Sequence, residues 1–205
     1  MVAVLAAVAM GCDAGQQPQP SMYVPSSGPC AGIPLIPRDR APTATLPLTR
    51  DLTLESRIPT SIDGHALTDL SSGRWTETLC MIGGEESLKA GAANLPAGLS
   101  LDDMRVASAL ATVDGAAVTI TAFRLPGHTG SEIIPALGDI AGSLGGDGSK
   151  FSGAVGATTI SGKDVATWTD PTDGSVSYFY ATADTLFVID NLTPSQADKV
   201  FAALA

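Results

Sequence analysis

The chain is short of basic residues and of aromatic residues. It has 11 Lys and Arg against 21 Asp and Glu, which gives a formal net charge of -10. We therefore expect no nucleic-acid partner and no direct attraction to anionic lipid head groups, because both bind clustered basic side chains. The two Trp, three Tyr and five Phe are expected to serve as the largest side chains of the core.

Motifs for common catalytic chemistry are also missing. The sequence has no Gly-x-Ser-x-Gly nucleophile motif, no Gly-x-x-x-x-Gly-Lys-Ser/Thr phosphate loop, no His-Glu-x-x-His zinc motif and no twelve-residue calcium loop. Its two histidines, His65 and His128, follow Asp-Gly and Pro-Gly pairs, which favours exposed loop residues over general bases. We expect no catalytic residues, no cofactor and no metal. The loop Asp170-Pro-Thr-Asp-Gly174 reads as a plain turn, with a weak calcium site as the alternative.

The N-terminus carries a short apolar run, Val2 to Met10, that ends at Gly11-Cys12. An apolar run before a small residue is typical of a secretory signal, and the lack of Lys and Arg before it leaves open a truncated start. Ala9-Met10-Gly11-Cys12 resembles the lipobox of bacterial lipoproteins in its Gly11 and Cys12. That resemblance implies a signal peptide over residues 1–11, lipidation of Cys12 and an extracytoplasmic protein anchored to the cell membrane. The alternatives are an ordinary N-terminal helix or a simple secretory peptide.

Cysteine is scarce, and the count of three is informative. Lipidation would use Cys12 and leave Cys30 and Cys80 as an even pair in an oxidising compartment. We predict a disulfide between them, closing a loop of about 50 residues that the chain-entropy model values at about 4 kcal/mol. Two buried free thiols are the alternative. A metal site is disfavoured because the sequence has no Cys-x-x-Cys and no Cys-His cluster.

Proline divides the chain. Residues 13–50 hold eight of the 14 prolines, and proline fixes φ and removes a backbone donor, so residues 12–50 are predicted to be the lipidated cysteine followed by an extended linker. Pro34-Leu-Ile-Pro37 before Arg38 also fits a proline-rich recognition motif loosely. Residues 51–205 are long enough for a single domain with its own core.

Hairpins dominate the predicted domain. Alternating apolar and polar residues predict two pairs of strands, one around the turn Asp114-Gly115 and one around Ser161-Gly162-Lys163. Asp114-Gly115 is a strong hairpin signal, because both residues tolerate the positive φ of a type I′ turn. A third hairpin joins residues 175–181 to 185–190, and its second strand is apolar enough to be central. Ser61 to Leu67 is predicted to be a turn into a short strand.

Helices are predicted at four places. Trp75–Ile82 and Glu85–Asn94 read as two short helices separated by Gly83-Gly84, and a third begins at Ser131 with Ile133, Leu137, Ile140 and Leu144 on one side. Thr193-Pro194-Ser195-Gln196 has the pattern of a capping box at the start of the last helix. The whole predicts an α+β fold, a two-layer arrangement in which helices pack on one face of an antiparallel sheet built from hairpins.

The order of these signals resembles a domain of uncharacterised bacterial surface and secreted proteins. It is carried by the segments Ile58–Leu67, Ala122–Gly127, Ile160–Val165 and Tyr178–Tyr180. The resemblance implies a fold and brings no catalytic residues. We therefore expect a surface-exposed, lipid-anchored envelope protein with a non-catalytic binding or structural role, held to the membrane by the lipid on Cys12. Its partner would be an envelope protein, a peptide or a small apolar ligand, and its oligomeric state is open. The alternative is an envelope enzyme or enzyme accessory, such as a hydrolase with an unrecognised site.

Overall fold

A large antiparallel sheet organises the structure, a computed structural model that describes residues 23–35, 49–93, 100–134, 137, 156–169, 176–190 and 192–204. Within these residues the helices are α1 (Leu52–Glu55), α2 (Trp75–Ala93) and α3 (Pro194–Ala203), and residues 130–134 are also helical. The strands are β1 (Ser61–Ile62), β2 (His65–Ala66), β3 (Thr68–Arg74), β4 (Arg105–Val113), β5 (Ala116–Arg124), β6 (Gly156–Ile160), β7 (Lys163–Thr169), β8 (Val176–Ala181) and β9 (Leu186–Asp190). The seven-stranded sheet has the order β3-β4-β5-β9-β8-β7-β6, and β1 and β2 form a separate hairpin.

Three tight turns set the register of the hairpins. Asp63-Gly64, Asp114-Gly115 and Ser161-Gly162 each have positive φ at both residues, which is the backbone of the type I′ turn and matches the twist of the flanking strands. They join β1 to β2, β4 to β5 and β6 to β7. The hairpins predicted at Asp114-Gly115 and Ser161-Gly162 are confirmed, whereas Ser61 to Leu67, predicted as a turn into one short strand, contains a hairpin of two strands. The central position of β9 is also confirmed, because β9 pairs with both β5 and β8.

Both faces of the sheet are apolar. Side chains alternate along a strand, so Phe187 and Ile189 of β9 face one side while Leu186 and Val188 face the other. The first side belongs to a core that also contains Leu54, Ile62, Val113, Ile120, Val200 and Phe201. The second side belongs to a core that also contains Leu79, Met104, Phe123, Ile133, Trp168 and Phe179.

The helices are divided between these two cores. Val200 and Phe201 of α3 lie in the first core, whereas Leu79 of α2 and Ile133 of the helical residues 130–134 lie in the second. The predicted antiparallel sheet with helices is therefore present. The prediction placed the helices on one face, whereas in the described residues they contribute to the cores on both faces. The reason lies in β9, where four consecutive apolar residues are buried and leave an apolar surface to be covered on each side.

Helix α3 begins as predicted. The amide of Thr193 donates to Gln196 Oε1 at 2.9 Å, and the amide of Gln196 donates to Thr193 Oγ1 at 3.4 Å, which completes the capping box with Pro194 at the first helical position. The predicted buried stripe is confirmed at Ala197, Val200, Phe201 and Leu204. Lys199, on the exposed side, binds Asp63 at 2.7 Å and Asp114 at 2.6 Å, so α3 also ties two of the turns together.

The region before β4 differs from the prediction. The two short helices predicted around Gly83-Gly84 are one helix, α2. Glycine inside a helix costs about 1 kcal/mol relative to alanine, which is less than the burial of Leu79 and Cys80 on the same helix supplies. Strand β3 was not predicted, because its residues are mostly polar and include Gly73. Its backbone pairing with β4 holds it at the sheet edge, with a register shift between Thr68 and Ser71.

Candidate attachment site of the N-terminal segment

A disulfide fastens the N-terminal segment to helix α2. Cys30 and Cys80 are bonded, with their Cα atoms 5.5 Å apart, and both residues are buried. The predicted pair is therefore confirmed, and the alternative of two free thiols is wrong. Cys80 lies in the second turn of α2, so the bond joins the proline-rich part of the chain directly to a regular element of the domain.

The segment around Cys30 holds its own shape. Within residues 23–35 the amide of Gly32 donates to the Pro25 carbonyl and the amide of Leu35 donates to the Tyr23 carbonyl, both at 2.9 Å. Gly28 has a φ of 87° and lies against α2, since a Cβ added there would stand 1.9 Å from Glu85 Oε1. A larger residue at this position would be strained in its backbone and would displace the end of the Glu85 side chain.

A second attachment point lies near the start of the same helix. The amide and the hydroxyl of Thr49 donate to the two carboxylate oxygens of Glu77, at 3.1 and 2.8 Å. Glu77 also accepts a hydrogen bond from the amide of Arg74 at 3.1 Å. This carboxylate therefore joins the end of the N-terminal segment to the corner where β3 passes into α2.

Behind Thr49, the carboxylate of Glu55 is buried and fully bonded. It accepts from Arg50 Nε at 2.9 Å and Nη2 of the same side chain, and from Ser72 Oγ at 2.6 Å. Ser72 Oγ in turn accepts from the amide of Asp51 at 2.7 Å. Because Ser72 belongs to β3, these bonds tie residues 50–55 to the sheet edge.

Asp51 occupies the centre of this network. Its Oδ1 accepts from the amide of Leu54 at 2.9 Å, which caps α1, and its Oδ2 accepts from Nη2 of Arg124. Arg124 pairs in register with Arg105, and Arg105 with Arg74, so three arginines stand in a row across β5, β4 and β3. Residues directly opposite each other in an antiparallel pair share a face of the sheet. The carboxylate of Asp51 therefore lies beside a concentrated positive charge.

The charges lower the pKa of both carboxylates. Burial alone would raise the pKa of Asp51, but the hydrogen bonds from Leu54 and Arg124, with the nearby Arg105 charge, bring it below its ordinary value. The hydrogen bonds of Arg50 and Ser72 outweigh burial in the same way and lower the pKa of Glu55. Both groups are ionised at neutral pH, and the network has its full strength there.

Two donors beside this network have no acceptor. Arg124 Nε and Trp75 Nε1 are buried without a hydrogen-bond partner in the part of the chain that is described. The Trp75 ring packs edge-on against Phe123, with ring centroids 5.2 Å apart. A buried donor left unpaired costs about 1–3 kcal/mol. The contact of the Arg124 guanidinium with Asp51 is consequently important, because it is where this side chain finds its acceptor.

The remaining predicted site residues lie elsewhere. His65 is exposed on β2. His128 Nδ1 stands 3.8 Å from Glu132 Oε2 at the start of the helical residues 130–134, and its side chain is 37 % exposed. Glu132 accepts hydrogen bonds from the amide and hydroxyl of Thr129, which lower its pKa and cap that helix. Among the described residues no group of three His, Cys, Asp or Glu side chains could hold a metal ion.

Several predictions fall on residues that the structure does not describe. They concern Cys12 and the apolar run before it, the helix positions Ile140 and Leu144, and the loop Asp170–Gly174. In the described residues no helix combines the length and the apolar character needed to span a bilayer. The charged network at Asp51 and Glu55 was not predicted from the sequence, although Asp51 directly before the turn Leu52–Glu55 is a recognised N-cap signal.

Comparison with known proteins adds no relative. No protein-family model matches the chain, and neither the curated proteins nor the solved structures give a match.

Proposed function

We propose that this chain is a lipid-anchored, extracytoplasmic envelope protein, tethered through Cys12, whose domain has a non-catalytic binding or structural role. The observation that carries the proposal is the Cys30–Cys80 disulfide. Disulfides form and persist in oxidising compartments, and pairing these two leaves Cys12 as the single remaining cysteine of three. That cysteine follows an apolar run and resembles the modified residue of a lipobox.

The attachment site supports the same proposal. The segment that would connect an anchored Cys12 to the domain is bonded to α2 through Cys80 and through Glu77. A buried ion network at Asp51 and Glu55 then joins it to the sheet. These bonds would make a firm junction between the tether and the domain of a protein held at a surface by its N-terminus.

The binding role is supported by surface composition. Leu110 of β4 is 39 % exposed, and it is paired in register with the exposed Thr119 of β5. These two side chains offer methyl and hydroxyl groups to an envelope protein, a peptide or a small apolar ligand. The net charge of -10 argues against nucleic acid as the partner.

Intact mass spectrometry of the protein from its native membrane tests the anchor. We expect a chain that begins at Cys12 and carries two or three acyl groups, and that gains the mass of two hydrogen atoms on reduction. The Cys12→Ser variant is the matched control, which should lose the acyl groups and leave the membrane fraction while keeping the disulfide. A chain that keeps residues 1–11 and has no acyl group would contradict the proposal.

A further inference from the structure

The two edges of the seven-stranded sheet differ in how well they are protected against another strand. At one edge, β3 has a register shift between Thr68 and Ser71, and Asp69 within it has a φ of 53°. A bulge and a charged side chain both hinder the pairing of a further strand. The edge at β3 is therefore a poor template for strand addition.

The other edge, β6, has neither form of protection. Its five residues, Gly156–Ile160, include no charged residue and no proline, and they pair with β7 without a register shift. Four of the five are exposed. In the part of the chain that the structure describes, no hydrogen bond reaches the side of β6 that faces away from β7. A regular and exposed edge of this kind is a template for strand addition.

The turn between β6 and β7 determines which backbone groups face outward. The turn has two residues, Ser161-Gly162, so Ile160 and Lys163 on either side of it form a hydrogen-bonded pair. Hydrogen bonding to β7 then recurs at every second residue of β6. The N–H and C=O groups of Ala157 and Thr159 therefore point away from β7, towards the open side.

We propose that β6 is a self-association edge, to which β6 of a second copy of this chain adds in the antiparallel direction. The register in which all five residues overlap places Thr158 on the twofold axis, opposite itself. In that register Ala157 lies opposite Thr159 of the second copy, so residues with outward N–H and C=O groups meet each other. Each such pair can exchange both of its N–H···O bonds, and the two sheets become continuous.

The side chains of β6 suit the same register. Gly156 lies opposite Ile160, so the smallest side chain faces the largest. Thr158 lies opposite its own copy, and threonine pairs across antiparallel strands are favourable. No charged side chains of β6 meet, since the strand has none. The strand is therefore complementary to itself, which is the argument for a second copy as its partner.

The dimer should be weak and should depend on salt. A five-residue edge buries less surface than the about 1,200–2,000 Å² of a stable interface. Each copy has a formal net charge of -10, so two copies repel each other, and salt screens that repulsion. We expect association to grow with protein and with salt concentration. It should stop at the dimer, because the twofold pairing occupies β6 in both copies.

Sedimentation velocity of the full chain with Cys12→Ser tests the association without any acyl group. Ala157→Pro removes an outward N–H and leaves the bonds to β7 intact, so we expect it to abolish the dimer with an unchanged melting temperature. Ala157→Ser keeps the N–H and is the matched control, which should still form the dimer. A chain that is monomeric at every concentration would overturn the proposal, and so would a dimer that persists in Ala157→Pro or weakens as salt is added.

Cysteine crosslinking tests the register even if the proline variant fails to fold. In the Cys12→Ser chain, Thr158→Cys places two thiols at a non-hydrogen-bonded pair, with Cβ atoms about 4.5 Å apart, which a disulfide can span. Oxidised glutathione accepts the two electrons and two protons. Thr159→Cys is the matched control, because its two copies lie diagonally, about 7–8 Å apart. Crosslinking of Thr158→Cys that is no faster than that of Thr159→Cys would contradict the register.

Amide hydrogen exchange shows what occupies the edge. Where about nine-tenths of the chains are dimeric, exchange at Ala157 and Thr159 should slow about tenfold, since only the monomer exposes these amides. The amides of Thr158 and Ile160 bond to β7 in monomer and dimer, and they are the internal control. Slow exchange at Ala157 in the monomer would show that another part of the same chain covers the edge, which would refute self-association.

Discussion

Removing the charge of Asp51 tests whether the buried network stabilises the junction between the N-terminal segment and the domain. Asp51 caps α1 through the amide of Leu54 and accepts from Arg124. Asparagine keeps the cap through its single amide oxygen, but its NH2 group stands where Oδ2 accepts from Arg124, so that bond is lost. Alanine loses the cap as well, and the two variants therefore separate the contact with Arg124 from the cap.

The expected sizes follow from these contacts. A hydrogen bond to a charged group is worth about 1.5–3 kcal/mol, so Asp51→Asn, which loses the bond from Arg124 and keeps the cap, should lower the free energy of unfolding by about 2 kcal/mol. Asp51→Ala loses the charged bond, at about 2 kcal/mol, and the cap, at about 1 kcal/mol. We expect a total loss of about 3 kcal/mol for alanine.

Urea unfolding followed by tryptophan fluorescence measures these losses, since Trp75 lies in the same corner. The matched control is Asp103→Asn, which removes a charge from an exposed residue and should change the stability by less than about 0.5 kcal/mol. Equal stabilities of the Asn and Ala variants, or a value for Asp51→Ala within the range of the control, would refute the role assigned to this side chain.

The same variants predict a dependence on pH. The pKa of Asp51 in the folded state is below its ordinary value of 3.8. A carboxylate with a lowered folded-state pKa contributes stability that is present above the unfolded-state pKa and is lost as the pH falls through the folded-state pKa. The difference between wild type and Asp51→Asn should therefore be constant near neutral pH and shrink below about pH 4. A difference that grows on acidification would contradict the assignment.

Three further predictions concern the core and helix α3. Phe201→Ala should lower the free energy of unfolding by about 3–5 kcal/mol, because the Phe201 ring is fully buried; an effect below about 1 kcal/mol in denaturant unfolding would contradict this. Gly130→Ala should unfold at a lower temperature than wild type, because its Cβ would stand 2.3 Å from the Thr185 carbonyl oxygen; an unchanged melting temperature would show that the backbone moves away. Hydrogen bonds to Asp114 and Asp63 raise the pKa of Lys199 above its ordinary 10.5, so the wild type loses stability as the pH rises through that pKa. Lys199→Gln should lack this part of the alkaline loss of stability. Identical pH profiles of the melting temperature in the two proteins would contradict the ion pairs of Lys199 with Asp63 and Asp114.

Most of the strand pattern was predictable, because it depends on local conformational preference. Asp114-Gly115 tolerates the positive φ of a type I′ turn wherever it occurs, and the strands on either side follow from alternation. The capping box of Thr193 and Gln196 is equally local, since its donors and acceptors lie within four residues. The sequence predicts α2 in two pieces because glycine weakens a helix locally. The helix is continuous because Leu79 packs in the second core, and that contact with distant residues is not visible in the local sequence.

The candidate site was predictable only in part. The pairing of Cys30 with Cys80 followed from counting, since two cysteines remain once Cys12 is set aside as the proposed lipidation site. Glu77, one turn from Cys80, owes its role to the hydrogen bonds from Thr49, which lies 28 residues earlier in the chain and is not identified by any local pattern. The row of Arg74, Arg105 and Arg124 depends on the register of three strands far apart in sequence, and no local pattern contains that register.

The sequence by itself therefore determined the turns, the central strand, the last helix and the cysteine pair, since these depend on neighbouring residues or on a count. Only the tertiary structure decided that β3 joins the sheet, that helices cover both faces, and that the N-terminal segment is attached twice to the start of α2. These features arise where distant residues meet, through burial of apolar surface and pairing of buried charges. For this chain, the contacts that attach the N-terminal segment to the domain belong to that second group.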